Sequence, residues 1–172
     1  IDMQKITVIF FFLLFISINV YSYKSDTTQS NELKKIYLSE NIVKGNNILT
    51  QNMINQSNCI YIIQHNYNLN NTEITIPDGC ILQFEGGSLN NGILSSNNLI
   101  KINSIQYQIF NNIKLKNEID GIVYSAWFGM NEKHNDNSTF INEAIKYASK
   151  KIIIATKNVP IKISRPIIID KK

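Results

Sequence analysis

From residue 46 to residue 117 the chain is a train of short apolar runs, each cut off by turn residues. The runs are Tyr61-Ile62-Ile63, Glu73-Ile74-Thr75-Ile76, Ile81-Leu82-Gln83-Phe84, Ile93-Leu94, Leu99-Ile100-Lys101-Ile102, Ile105 to Phe110, and Ile113-Lys114-Leu115. Between them stand Pro77-Asp78-Gly79, Gly86-Gly87, Asn90-Asn91-Gly92, Ser95-Ser96-Asn97-Asn98 and Asn111-Asn112, all residue types that favour turns. The runs recur about every 7–11 residues, too tightly for helices to intervene. A sandwich, a barrel and a β-solenoid all fit that rhythm. A solenoid stacks short strands on like strands and takes Asn and Gly at its corners. The composition suits it, with 33 Ile and 25 Asn among 172 residues, a strand former and a turn former. With 44% hydrophobic residues the chain is long and apolar enough for one folded core.

One helix stands out after this region. Ile141, Ala144, Ile145 and Ala148 lie at i, i+3, i+4 and i+7, an apolar stripe on one helix face. Asp136, Asn137 or Ser138 can cap its start. Lys146, Lys150 and Lys151 lie late, where they favour the helix dipole. Ile152-Ile153-Ile154 reads as a fully apolar strand, Ile161-Lys162-Ile163 alternates, and Pro166-Ile167-Ile168-Ile169 reads as a last strand. A helix of this kind can cover the open end of a β-stack, which would otherwise invite aggregation.

Residues 6–20 read ITVIFFFLLFISINV, preceded by Gln4-Lys5 and followed by Val20-Tyr21-Ser22. A basic start, a short apolar stretch and small or branched residues before a cut after Ser22 make the layout of a secretory signal peptide. A retained membrane anchor is the alternative, but a spanning helix wants about 20 apolar residues. Export implies a secreted, periplasmic or cell-surface destination, with no stable membrane span once the signal is cleaved. Ile1-Asp2 before Met3, and a chain that stops after an apolar run, lead us to expect a piece of something longer.

The net charge is +4, with 16 Lys and one Arg, Arg165. The lysines are scattered and form no basic stripe, so no nucleic-acid partner is expected. Cys59 and Cys80 are either a disulfide, which export permits, or two buried thiols. His65 and His134 stand alone in sequence and there is no CxxC, so no metal and no cofactor are expected. Gly86-Gly87 is a turn, since no phosphate-loop pattern follows it.

Two blocks carry a resemblance. Trp127-Phe128-Gly129, then Asp136-Asn137-Ser138-Thr139-Phe140-Ile141-Asn142-Glu143-Ala144-Ile145, then Ile152-Ile153-Ile154 and Pro166-Ile167-Ile168-Ile169, resemble the opening segment of the pectate-lyase-superfamily right-handed parallel β-helix proteins. Upstream, residues 75–89, TIPDGCILQFEGGSL, resemble the leading coils of exported β-helix proteins from Bacteroidetes-type bacteria. The sequence departs from the pattern at Met130-Asn131-Glu132-Lys133-His134-Asn135, at Asn137 and Ser138, and at residues 155–159. The resemblance covers about residues 58–170.

It implies a mainly β fold: the N-terminal coils of a right-handed parallel β-helix with one short capping α-helix. The implied layout is a signal peptide at 1–22, a leader segment at 23–57, leading β-coils at 58–117, a connection at 118–135, and at 136–172 the capping helix with the first, truncated strands of the main β-helix. The structural motif residues are Trp127, Phe128, Gly129, Asp136, Asn137, Ser138, Ile141, Ala144, Ile145, Gly86 and Gly87. Relatives include polysaccharide lyases, glycoside hydrolases and tail-spike depolymerases, whose catalytic groups lie on later coils.

The implied partner is therefore polysaccharide, met through downstream coils, and the resemblance admits a homo-oligomer. Hydrolysis needs two carboxylates across a groove, and lyase chemistry needs a base and a cation. Asp78, Glu85, Glu118, Asp120 and Asp136 read as turn, surface or cap residues, so no catalytic residues are expected here. Trp127 and the tyrosines can stack on sugars, though apolar neighbours mark Trp127 as a plug at the joint. The other readings are a non-catalytic surface or adhesion solenoid, and a tail-spike-like phage protein, against which the signal-peptide layout stands.

Overall fold

The computed structural model describes residues 32–154 and 160–169. Residues 1–31, where the signal-peptide and early leader expectations fall, and residues 155–159 and 170–172 lie outside the described residues. What is described is a mainly β chain wound into a β-solenoid of about four turns, with parallel sheets and one α-helix.

The first sheet stacks β1 (Lys34–Tyr37), β4 (Cys59–Ile63), β7 (Ile81–Phe84) and β9 (Lys101–Asn103) in that order, every pair parallel. Partner residues are 25, 21 and 20 positions apart, so each coil brings the chain back one strand spacing higher. The second sheet stacks β5 (Asn66–Asn68), β8 (Ser88–Ser96) and β10 (Phe110–Leu115), with β6 (Glu73–Ile76) also pairing β8. The short strands β2 (Ile42–Val43) and β3 (Asn46–Asn47) form an antiparallel pair. Among the described residues the first coil begins at Lys34.

The register places like residues above one another. Ile36, Tyr61, Leu82 and Ile102 share one inward row. Tyr67, Leu89 and Phe110 share a second, and Ile74, Leu94 and Leu115 a third. Apart from the partly buried Ile36 and Ile102, these residues are buried in one continuous core. An aromatic ladder climbs through it: Phe84 to Phe110 at 5.9 Å, Phe110 to Phe128 at 5.5 Å, and Phe128 to Tyr147 at 5.8 Å between ring centres. Such pairs contribute about 0.5–1.5 kcal/mol each beyond the area they bury.

Corners are made largely by Asn. Asn58, Asn70, Asn71, Asn91 and Asn112 all hold positive φ, a region where Asn is tolerated better than most side chains. Asn71, Asn91 and Asn112 form a stack of their own. The Asn71 N–H donates to the Asn91 carbonyl at 2.9 Å, and the Asn112 amide donates to Asn91 Oδ1 at 3.0 Å. The sequence predicts a turn at Asn90-Asn91-Gly92; the structure bends β8 there, with Asn91 at positive φ and Asn91 and Asn112 skipped in the β8–β10 register. Gly92 is required because an added Cβ would strike Leu69 and the Thr72 carbonyl.

Above β9 the stack continues through the bridges Ile100–Ile119–Ala148. It then runs through the parallel pair β11 (Ile122–Tyr124) and β12 (Lys151–Ile153). Partners are now 29 residues apart. The extra residues are the 3₁₀ turn Ser125–Phe128 and the helix α1 (Ser138–Tyr147). A helix rises about 1.5 Å per residue against about 3.3 Å for a strand, so the same span takes more chain.

Three predicted apolar runs, 105–109, 161–163 and 166–169, form no strand. Residues 105–109 bend because the Ile105 carbonyl accepts both the Tyr107 N–H at 3.1 Å and the Trp127 indole at 2.9 Å. Residues 160–169 run beside α1 with no strand partner, and side chains of the helix region take up their backbone groups.

Candidate functional site

A groove of about 580 Å³ lies between the β8–β10 sheet and α1. The strand side contributes the corner residues Asn71 and Asn112, and Lys114 from the outward row of β10. The helix side contributes Thr139, Phe140, Glu143 and Lys146, successive positions on one helix face. The rungs Phe110, Phe128 and Tyr147 form its base and are buried. Phe140 is the partly exposed ring of the groove.

The electrostatics are mixed. Lys146 stands 3.8 Å from Glu143 and 4.6 Å above the Tyr147 ring. Tyr147, and secondarily Glu143, hold the Lys146 ammonium above its ordinary range, so it stays charged. Lys114 adds a second cation. Amides, ammonium groups, one carboxylate and aromatic carbon in an open groove suit hydrogen bonding and stacking to a polyhydroxylated chain. Glu143 is the only carboxylate among the described lining residues, and it sits beside a cation.

Trp127 and Phe128 lie in the 3₁₀ turn that Gly129 ends, and Phe128 lines the groove. Trp127 is 2% exposed and its indole N–H donates to the Ile105 carbonyl, so it plugs the joint between coils. Phe128 is the third rung of the aromatic ladder. Gly129 ends the 3₁₀ turn at φ 109°, with Gln108 and Phe140 packed where a Cβ would stand. Ile141, Ala144 and Ile145 are all buried on the inner face of α1, as the stripe predicts. Gly86 turns at φ 95°, and a Cβ on Gly87 would collide with the His65 backbone and the Ile63 carbonyl.

Asp136, Asn137 and Ser138 divide the work at the helix start. Asn137 precedes the helix, yet its side chain does not cap it. Its Oδ1 accepts the Asn131 N–H at 3.0 Å instead. Asp136 caps: its carboxylate accepts the Ser138 N–H at 2.9 Å, the Ser138 hydroxyl, and the Arg165 guanidinium at 2.8 Å. The Ser138 hydroxyl in turn accepts the Arg165 N–H at 3.0 Å. Hydrogen bonds from Ser138 above all, and then Arg165, hold the Asp136 carboxyl far below the usual carboxylate range.

The other acids are placed in structural partnerships. Asp78 accepts the Asn97 amide, Glu85 accepts those of Gln64 and Gln83, and Asp120 pairs with Lys150 at 2.8 Å. Lys150 also draws the Asp120 carboxyl below its ordinary range. Glu118 donates no side chain to the groove lining; its carbonyl accepts the Ile100 N–H at 2.9 Å. His65 lies 3.5 Å from Glu40, and His134 stacks at 4.9 Å against Phe140. No group of three His, Cys, Asp or Glu suited to a metal occurs among the described residues. No helix among them is long and apolar enough to cross a membrane.

Sequence reasoning missed Asn71, Asn112, Lys114 and Glu143. The signal was present: Asn70-Asn71, Asn90-Asn91 and Asn111-Asn112 are pairs recurring every 20–21 residues, one coil apart. No family model matches the chain, and neither a curated protein nor a solved structure matches it.

Proposed function

We propose that this chain is the N-terminal export, folding and capping portion of a secreted β-helix protein that binds or degrades polysaccharide. In this reading the described coils bind and do not cut. The observation that carries it is the groove between the Asn71–Asn91–Asn112 stack and α1, with polar walls and an aromatic base. The resemblance of residues 75–89 and 127–170 to exported β-helix proteins supports the same reading, including the right-handed winding. The helix covers apolar rungs of the core, which supports its capping role.

A non-catalytic surface or adhesion solenoid is the second reading. It is favoured by the groove's single carboxylate, because hydrolysis takes two. Titration calorimetry against a panel of neutral and acidic polysaccharides tests both readings. We expect saturable binding without release of reducing ends or unsaturated products. Lys146→Ala and Phe140→Ala should each weaken binding by roughly tenfold, the worth of one good contact. Absence of binding to every member of the panel would overturn the proposal. Product release by this chain would overturn its non-catalytic part.

A further inference from the structure

Cys59 and Cys80 lie one position before the paired residues Ile60 and Ile81, so they stand above one another on adjacent coils. Adjacent strands are about 4.8 Å apart, inside the Cα range a disulfide spans. Both are free thiols, buried to 1% and 4% exposure, with their sulfurs 3.5 Å apart. Cys59 at 3.2 Å, Cys80 at 3.1 Å and the Tyr61 hydroxyl at 2.9 Å all point at one acceptor, the Gln56 carbonyl. A carbonyl oxygen has two lone pairs, so one thiol hydrogen turns instead to the other sulfur or to the Asp78 carbonyl at 3.8 Å. Removing the two thiol hydrogens would leave Tyr61 as its side-chain donor and orphan no strong polar group. Cys80 also lines a recess of about 150 Å³ with Asp78, Ser96 and Lys101. Cys59 does not line it.

We propose that Cys59 and Cys80 are an oxidisable dithiol, a modification site that closes into a coil-to-coil disulfide by exchange with a small-molecule disulfide. Cys80, reached through the recess, attacks one sulfur of the oxidant as its thiolate and expels the other half as a thiol. Cys59 then attacks Cys80 Sγ and expels the second half. The two cysteines lose two protons and two electrons and gain one S–S bond; the oxidant gains both and leaves as two thiols. Burial, first among its causes, pushes the Cys59 thiol up to about 11, which disfavours it as the thiolate that attacks first. Small rotations about χ1 of both residues bring the sulfurs together. The bond closes a short loop and restricts the unfolded chain.

The test uses the full chain, purified under reductant and then exposed to oxidised glutathione. Free thiols are counted in denaturant, and a non-reduced digest is mapped by mass. We expect both thiols to disappear in the monomer, the intact mass to fall by two hydrogens, and one cross-linked peptide joining Cys59 to Cys80. Tm should rise by roughly 5–10 °C, reversed by dithiothreitol. Cys59→Ala should trap a glutathione adduct on Cys80, whereas Cys80→Ala should leave Cys59 unmodified. Two thiols that remain alkylatable in the parent chain, or a covalent dimer in place of the internal bond, would overturn the proposal. An adduct on Cys59 in the Cys80→Ala chain would overturn the order of attack.

Discussion

Where a stacked coil turns a corner, one residue must enter positive φ, and its side chain must then face its counterparts on the coils above and below. Asn meets both demands, because its short amide tolerates that backbone and bonds along the stack. Asn91 does so at φ 53°, with its carbonyl and amide oxygen accepting from Asn71 and Asn112. Asn91→Ala should therefore cost about 1–2 kcal/mol in urea unfolding, from backbone strain plus one lost hydrogen bond. Asn91→Gly should cost about 1 kcal/mol less, since glycine takes the same φ freely. Equal losses for the two variants would contradict this account of the corner. At this scale the sequence was informative about residue type and silent about geometry. Asn90-Asn91-Gly92 announces a bend, but whether the ladder breaks there depends on the neighbouring coils. The same limit hid the groove: Asn71 and Asn112 become neighbours only once the 20–21-residue spacing is wound into coils.

The helix is the element most legible in advance, because a 3.6-residue period needs no partner to be recognised. Ile141, Ala144, Ile145 and Ala148 are all buried, as their spacing requires. Its attachment was not legible. The tail at 160–169 reads as alternating strands, yet no strand edge meets it, and Asp136, Ser138 and Asn142 take its backbone groups instead. Asp136 thus serves the helix start and the tail together. Its carboxyl is depressed in the folded state, so its contribution is fully present above the unfolded value near 3.9. That contribution is lost progressively as pH falls from there toward the folded value. Asp136→Asn should accordingly be less stable than the parent chain at pH 7 and by a similar margin at pH 5. The margin should shrink only below about pH 4. Urea melts of both chains across that range check it; a margin that vanishes between pH 7 and 5 would rule out Asp136 as its source.

In the whole molecule each coil packs on the next, so stability is shared between neighbours and decays along the stack. Phe84, Phe110, Phe128 and Tyr147 connect the strand coils to the helix coil by ring-to-ring contact. Phe128→Ala and Phe110→Ala should each cost about 3–5 kcal/mol. Because the rings touch, the double variant should depart from additivity by about 0.5–3 kcal/mol, measured by a double-mutant cycle in urea. The rhythm of apolar runs left sandwich, barrel and solenoid open, and the Asn and Gly corners with the family resemblance favoured the solenoid. The sequence did not show that the same rungs would floor a groove, because that depends on where α1 lands. The proposed function rests on this joint, and one measurement reaches it directly. Hydrogen–deuterium exchange, with and without a polysaccharide that binds by calorimetry, should show new protection at residues 110–114 and 139–147 and leave residues 34–63 unchanged. Protection confined to another face, with those two segments unaltered, would contradict the groove as the binding site.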